Sequence, residues 1–139
     1  MTTLPRQVEY ALIALADMHG AHPEKVFSAR GFCKKHVIPF DVMSKTMQRL
    51  THAEILRSTQ GIRGGYQIIR DLAKISLLEL VEIMAAPIGV VVCLKERKVC
   101  QLEGDCNIVH GMTIFNQRIK NVYKSTNILE LIGKDTHIS

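Results

Sequence analysis

Cys93, Cys100 and Cys106 stand within 14 residues in the spacing C-x6-C-x5-C, and His110 follows one helical turn after the last of them. Thiolates are the natural ligands of iron–sulfur clusters, and a segment containing Gly89 and Gly104 can wrap to make three of them converge. The same three thiolates with the His110 imidazole form a tetrahedral zinc set, and thiols without metal can work as a reversible disulfide switch. The spacing leaves these chemistries open. Cys33, beside Phe32 on an apolar face, reads as a buried structural thiol. His19, His22, His36, His52 and His137 show no ligand spacing.

A second constellation lies upstream. Asp41, Ser44, Lys45, Gln48 and His52 fall at i, i+3, i+4, i+7 and i+11, which puts them on one side of a helix. Lys45 and Gln48 are long enough to hydrogen-bond base edges, and Ser44 can serve a base or a phosphate. Charge supports a polyanion partner. Residues 1–75 hold 11 Lys+Arg against 6 Asp+Glu, so the whole net charge of +5 lies there, and residues 76–139 are neutral with 7 of each. Residues 28–70 alone carry eight bases (Arg30, Lys34, Lys35, Lys45, Arg49, Arg57, Arg63, Arg70) and two acids, Asp41 and Glu54. Such a cationic island draws phosphates through counterion release.

Enzyme chemistry has little to stand on. The run Gly61-Ile62-Arg63-Gly64-Gly65 lacks the Lys-Ser/Thr of a phosphate-cradling loop, and the chain has no nucleophile elbow and no HExxH. A nucleophilic pair of Cys106 and His110 has no third group to orient it. No catalytic residue and no small-molecule substrate is therefore expected. With 139 residues, 47% of them apolar, the chain is globular in composition and large enough for one domain plus an extra element. Its longest apolar run, around Ile88 to Leu94, is far short of a membrane span, and Met1 to Arg6 lack a signal layout, so a cytoplasmic protein with no membrane partner is expected.

These side chains need elements to position them. Val8, Ala11, Leu12, Leu15 and Ala16 predict a helix over 5–19, with Pro5 in its first turn and Gly20 at its C′ position. Ser28 caps a short helix to about His36, with Ala29, Phe32 and Cys33 on one face. Pro39 opens a third to about Ala53, with Phe40, Met43, Met47 and Leu50 facing inward. Strand-like runs at 55–59 and 66–70 flank a glycine-rich loop and form a basic-tipped β-hairpin. Ser76-Leu77-Leu78-Glu79 is a capping box that starts a fourth helix. After an aperiodic stretch from Pro87 to about Asp105 that holds cysteines, a long helix from Cys106 or Asn107 to about Lys124 carries Ile108, Met112, Phe115, Ile119 and Val122 at the 3.5-residue average of a coiled-coil seam. Thr126 is placed to cap a last short helix ending at Gly133. The fold class expected is mainly α with a small β-hairpin wing, a winged helix-turn-helix plus a long C-terminal dimerisation helix. Its third helix would lie in the major groove. Ser44, Lys45, Gln48 and Arg49 would face the groove, and Arg57 and Arg63 would make wing contacts.

The run Leu56-Arg57-Ser58-Thr59-Gln60-Gly61-Ile62-Arg63-Gly64-Gly65-Tyr66 resembles the (V/L)xSxxGxxGGY wing signature of the Rrf family of bacterial winged-helix regulators. Tyr10-Ala11-Leu12 resembles that family's first helix, and Ile75 to Val81 resembles the helix after its wing. The resemblance covers nearly the whole chain and points to the IscR/NsrR-like, iron–sulfur-cluster-binding type. It implies a homodimeric transcription factor, a repressor, bound to a double-stranded DNA operator and controlled by a redox-, nitric-oxide- or iron-sensitive 2Fe-2S cluster. It further implies that Cys93, Cys100 and Cys106 are cluster ligands, although their first gap is one residue longer than the family's usual one. The fourth ligand would be Glu9, like the acidic ligand that the nitric-oxide sensors take from the partner's first helix, or His110, like the histidine of the cluster regulators. The family histidine follows its cysteine by three residues and His110 follows Cys106 by four, which favours Glu9. Zinc, or no cofactor with a thiol switch, is the alternative. The expected division is 1–86 for the DNA-binding domain, 87–106 for the cysteine loop and 107–139 for the dimerisation helix and last short helix.

Overall fold

The computed structural model describes residues 4–21, 25–85 and 106–133. Helix α1 (Arg6–His19) turns Val8, Ala11, Ala14, Leu15 and Met18 into the core. Its buried stripe is rotated from the expected one, since Leu12 packs at the core's margin. Pro5 stands at the N-cap rather than in the first turn, and Gly20 closes the helix in a right-handed conformation. Helix α2 (Ala29–His36) begins where Ser28 Oγ accepts from the Gly31 amide at 3.1 Å. It stops at Val37, held in the left-handed region at φ 55°.

Helix α3 (Phe40–His52) buries Met43, Thr46, Met47 and Leu50 against α1 and α2. Phe40 departs from the inward set: it is half open to solvent, because the bend at Val37 and Pro39 spends Ile38 as the buried anchor of the turn. Strands β1 (Leu56–Thr59) and β2 (Gly65–Ile68) pair antiparallel with Leu56 opposite Ile68 and Thr59 opposite Gly65. Phe27 adds a third segment to this hairpin through reciprocal backbone bonds with Tyr66 of 3.0 and 2.7 Å. A 3-10 turn (Leu72–Lys74), capped by Asp71, leads into α4 (Leu77–Met84), whose Leu77, Leu80, Val81 and Met84 complete the core.

The capping box forms by one half only. Ser76 Oγ accepts from the Glu79 amide, but the Glu79 carboxylate turns away to Arg70, with contacts of 2.9 and 3.4 Å. Helix α5 (Val109–Ser125) is followed by α6 (Ile128–Ile132), whose cap is Asn127 rather than Thr126. Asn127 Oδ1 accepts from the Glu130 amide, while the Thr126 hydroxyl donates back to the Val122 carbonyl. Ser76 and Asn127 form a β-bridge, with Leu77 donating to the Thr126 carbonyl at 2.7 Å and Ile128 donating to the Ile75 carbonyl at 2.9 Å. Ile128 is thereby fully buried in the core of the winged unit.

Candidate nucleic-acid interface and cysteine centre

The surface that could meet DNA is built on α3. Because its core side is fixed by Met43, Met47 and Leu50, the opposite side must present Asp41, Lys45, Gln48 and His52, all of them exposed, with Ser44 half-buried at the margin. Gln48 and His52 share a cleft with Ser58 and Tyr66 of the hairpin, so the helix stripe and the wing border one continuous surface. On its other flank Lys45, Gln48 and His52 share a second cleft with Ile83 of α4.

The wing's shape follows from its glycines. Gly65 takes φ +151°, and a Cβ there would collide with the Phe27 carbonyl oxygen and approach Val26 Cγ1 to 2.7 Å. At Gly64 a Cβ would run into the backbone of Thr59. Only glycines let the hairpin close this tightly against the 26–27 segment. The tip carries Ile62, fully open to solvent, and Arg63, also exposed. Arg57, one strand back, reaches Gln67 at 3.4 Å.

Structure separates the eight bases of the 28–70 island by what they do. Arg70 pairs with Glu79, and Lys35 pairs with Asp17 at 3.1 Å. Arg49, expected in the groove, donates to the Met84 carbonyl at the C-terminus of α4, so its guanidinium braces α3 against α4. The Arg30 guanidinium lies 5.4 Å from the centre of the Phe40 ring. Among the described residues Lys45 and Arg63 make no ion pair, which leaves their charge free for an external anion.

One buried-edge contact was not visible in the sequence. His36 Nε2 lies 2.6 Å from Asp17 Oδ2, and with Lys35 it ties α2 to α1. Burial pushes the Asp17 carboxyl up, but the hydrogen bonds and charges of His36 and Lys35 outweigh it and hold Asp17 below its ordinary range. The only signal available was the sign match between Asp17 and two basic residues separated by a turn.

For the cysteine centre, Cys93 and Cys100 lie outside the described residues. Cys106 is a half-buried free thiol just ahead of α5, and His110 is exposed in that helix's first turn. Glu9 is exposed on α1 and makes a 3.8 Å ion pair with Arg6. Among the described residues no three metal-ligating side chains gather. Cys33 is half-buried and packs against the core, less enclosed than expected.

Helix α5 inverts the usual amphipathic order. Its buried residue is Asn116, whereas Ile108 before it, together with Phe115 and Val122, is 47 to 60% exposed. Met112 and Ile119 of the expected seam are half-buried. Val109 and Ile114 widen this apolar surface. None of the described helices is long and apolar enough to cross a membrane.

Comparison with known proteins places this architecture. The family model Rrf2, described as iron-dependent transcriptional regulator, matches residues 4–134. A protein of Aquifex aeolicus (strain VF5), named as an HTH-type transcriptional regulator, is 28% identical over 128 residues, covering 91% of this chain and 88% of its own. Among solved structures, CymR, the global cysteine regulator of B. subtilis, superposes with a TM-score of 0.72 at 19% identity, over 95% of this chain and 97% of that one. T. potens IscR superposes with a TM-score of 0.68 at 14% identity, over 94% and 86%. At these identities the solved structures establish the winged-helix fold.

Proposed function

The chain belongs to the Rrf2 family of transcriptional regulators, a family of DNA-binding proteins rather than enzymes, and from that premise we propose that it is a cytoplasmic homodimeric repressor whose operator binding is controlled by a 2Fe-2S cluster. The observation that carries the DNA half is the cleft shared by Gln48, His52, Ser58 and Tyr66, which makes the α3 stripe and the wing one surface. On it Ser44, Lys45 and Gln48 enter the major groove of a double-stranded operator, and Arg63 and Arg57 hold phosphates or a narrow minor groove. Arg49 acts at one remove, fixing α3 through the Met84 carbonyl.

The partly exposed seam Ile108, Met112, Phe115, Ile119 and Val122 packs against its copy in a second chain, and this sets the distance between the two reading helices. Half-sites about one DNA turn or a multiple apart then fit or fail with small rotations at that seam. Cys93, Cys100 and Cys106 supply three thiolates, and Glu9 of the partner chain or His110 supplies the fourth ligand. This donor set suits iron–sulfur chemistry, and the family description as iron-dependent agrees with it. When bound, the cluster supplies a centre whose charge and integrity respond to oxidant, nitric oxide or iron supply. For complete switching the two dimer arrangements must be biased by about 5.5 kcal/mol, and partial control needs less.

A second reading keeps the DNA surface and replaces the cluster by a zinc site or a thiol switch. The likeness to a global cysteine regulator favours it. Anaerobic purification separates the two. A brown protein with thiolate-to-iron absorption bands that bleach on exposure to nitric oxide is the expected result, and a colourless protein with one zinc or no metal per chain overturns the cluster. Lys45→Ala and Arg63→Ala should each weaken binding to a duplex selected from a random pool, Lys45→Ala by relaxing base preference and Arg63→Ala by lowering the salt slope by about one. Unchanged affinity in both variants would sink the docking.

A further inference from the structure

The hydrogen-bonding residues of α3 account for only part of its outward surface, because an aromatic ring stands at its leading turn. Phe40 is the first residue of α3 and 49% of it is open to solvent. Single exposed apolar side chains are ordinary, but three observations set this one apart. Its ring is held in place, with the Arg30 guanidinium of α2 lying 5.4 Å from its centre, a cation–π distance. It stands four residues ahead of Ser44 and therefore on the same side of the helix, at the edge of the polar stripe. It also lies at the N-terminal end, the end of a recognition helix that reaches base edges.

Among the four bases, thymine alone presents an apolar group to the major groove, its C5-methyl. Ser44, Lys45 and Gln48 read donors and acceptors and have nothing to offer that methyl. An aromatic ring held beside a cation, in a part of the chain rich in unneutralised base, complements a methyl group lying next to a phosphate. We propose that Phe40 is a specificity-determining residue that packs on the C5-methyl of one thymine in each half-site, with Arg30 positioning the ring and meeting the adjacent phosphate. The assignment rests on the docking of α3 in the major groove proposed above and extends it from hydrogen-bond readout to apolar readout.

The test uses the full chain and a duplex selected by it from a random pool, with each thymine of one half-site replaced in turn by deoxyuridine, which lacks only the methyl. Binding is measured by fluorescence anisotropy at fixed salt. For the wild-type protein one position should weaken about fourfold, the worth of one buried methyl-sized group. Phe40→Ala should bind the thymine duplex more weakly and lose that discrimination, binding both duplexes alike, with its thermal midpoint recorded as a check on folding. Two results overturn the proposal: no thymine responding with the wild-type protein, which does not depend on any variant's folding, or a fourfold penalty that persists in Phe40→Ala. Lys45→Ala separates the layers. If it weakens binding while Phe40 shows no methyl dependence, the apolar readout fails alone; if both it and Arg63→Ala bind like the wild type and no thymine responds, the groove docking fails and takes Phe40 with it.

Discussion

Asp17 shows how single residues set the geometry of the reading head. Its carboxylate receives His36 at 2.6 Å and Lys35 at 3.1 Å, so two adjacent residues at the end of α2 are fastened to one group on α1. The carboxyl's proton affinity is lowered in the fold, despite the burial that opposes this. A depressed carboxyl stabilises the fold above its unfolded value, near 3.9, and that stability is lost as the pH falls through the folded value. Asp17→Asn should therefore lower the urea midpoint at pH 7, and the gap to the wild type should close as the pH drops below about 4. A gap independent of pH down to 3 would mean that the charge of Asp17 contributes nothing. Residue by residue, the bases of the island that the sequence could not rank are ranked by what lies beside them. Arg49 and Arg70 are spent inside the molecule on the Met84 carbonyl and Glu79, and Lys45 and Arg63 are not.

At the scale of elements, the turn between α2 and α3 carries the most conspicuous backbone feature. Val37 sits at φ 55° and ψ 51° with 90% of its surface exposed. A β-branched residue there costs roughly 1–2 kcal/mol in local sterics and gains no packing. Val37→Gly should raise the thermal midpoint by a few degrees, worth about 1 kcal/mol after the added chain entropy of glycine; a lower midpoint would refute the strain. The helices were legible because their apolar periods are strong and Ser28 and Ser76 mark their starts. The wing was legible from its glycines, although β2 starts at Gly65, one residue earlier than the alternation suggested. What was not legible depended on distant partners. Asn127 took the cap from Thr126 because residues 126–128 are drawn into backbone pairing with 75–77. Phe40 stands half exposed while Ile38, just ahead of the helix, is buried, which a helical wheel drawn from Pro39 onward cannot show.

The whole molecule is asymmetric in how it treats its surfaces. The winged unit exposes single apolar side chains such as Val37, Phe40 and Ile62, whereas α5, a helix of 17 residues roughly 25 Å long, leaves Phe115 and Val122, with Ile108 just before it, about half open as a stripe. Such a stripe suits the self-complementary two-fold interface proposed above. If the chain pairs as proposed, Ile119→Glu should yield monomers in sedimentation experiments and weaken binding to a two-half-site duplex far more than to an isolated half-site, since linked sites raise the effective concentration of the second head. An unchanged sedimentation coefficient would place the interface elsewhere. The cysteine pattern was legible as chemistry from spacing alone, but not which chemistry, because ligand type depends on groups brought together by a fold and a partner.

The clasp between residues 75–77 and 126–128 carries a consequence for how the chain comes into being. Ile128 completes a core whose other members lie between Val8 and Met84. The residue that closes this core is therefore made 44 residues after Met84. A nascent or prematurely terminated chain exposes the gap that Ile128 fills and lacks the edge that Asn127 supplies. Truncation before Asn127 should therefore lower the thermal midpoint of the winged unit and speed its proteolysis relative to the full chain.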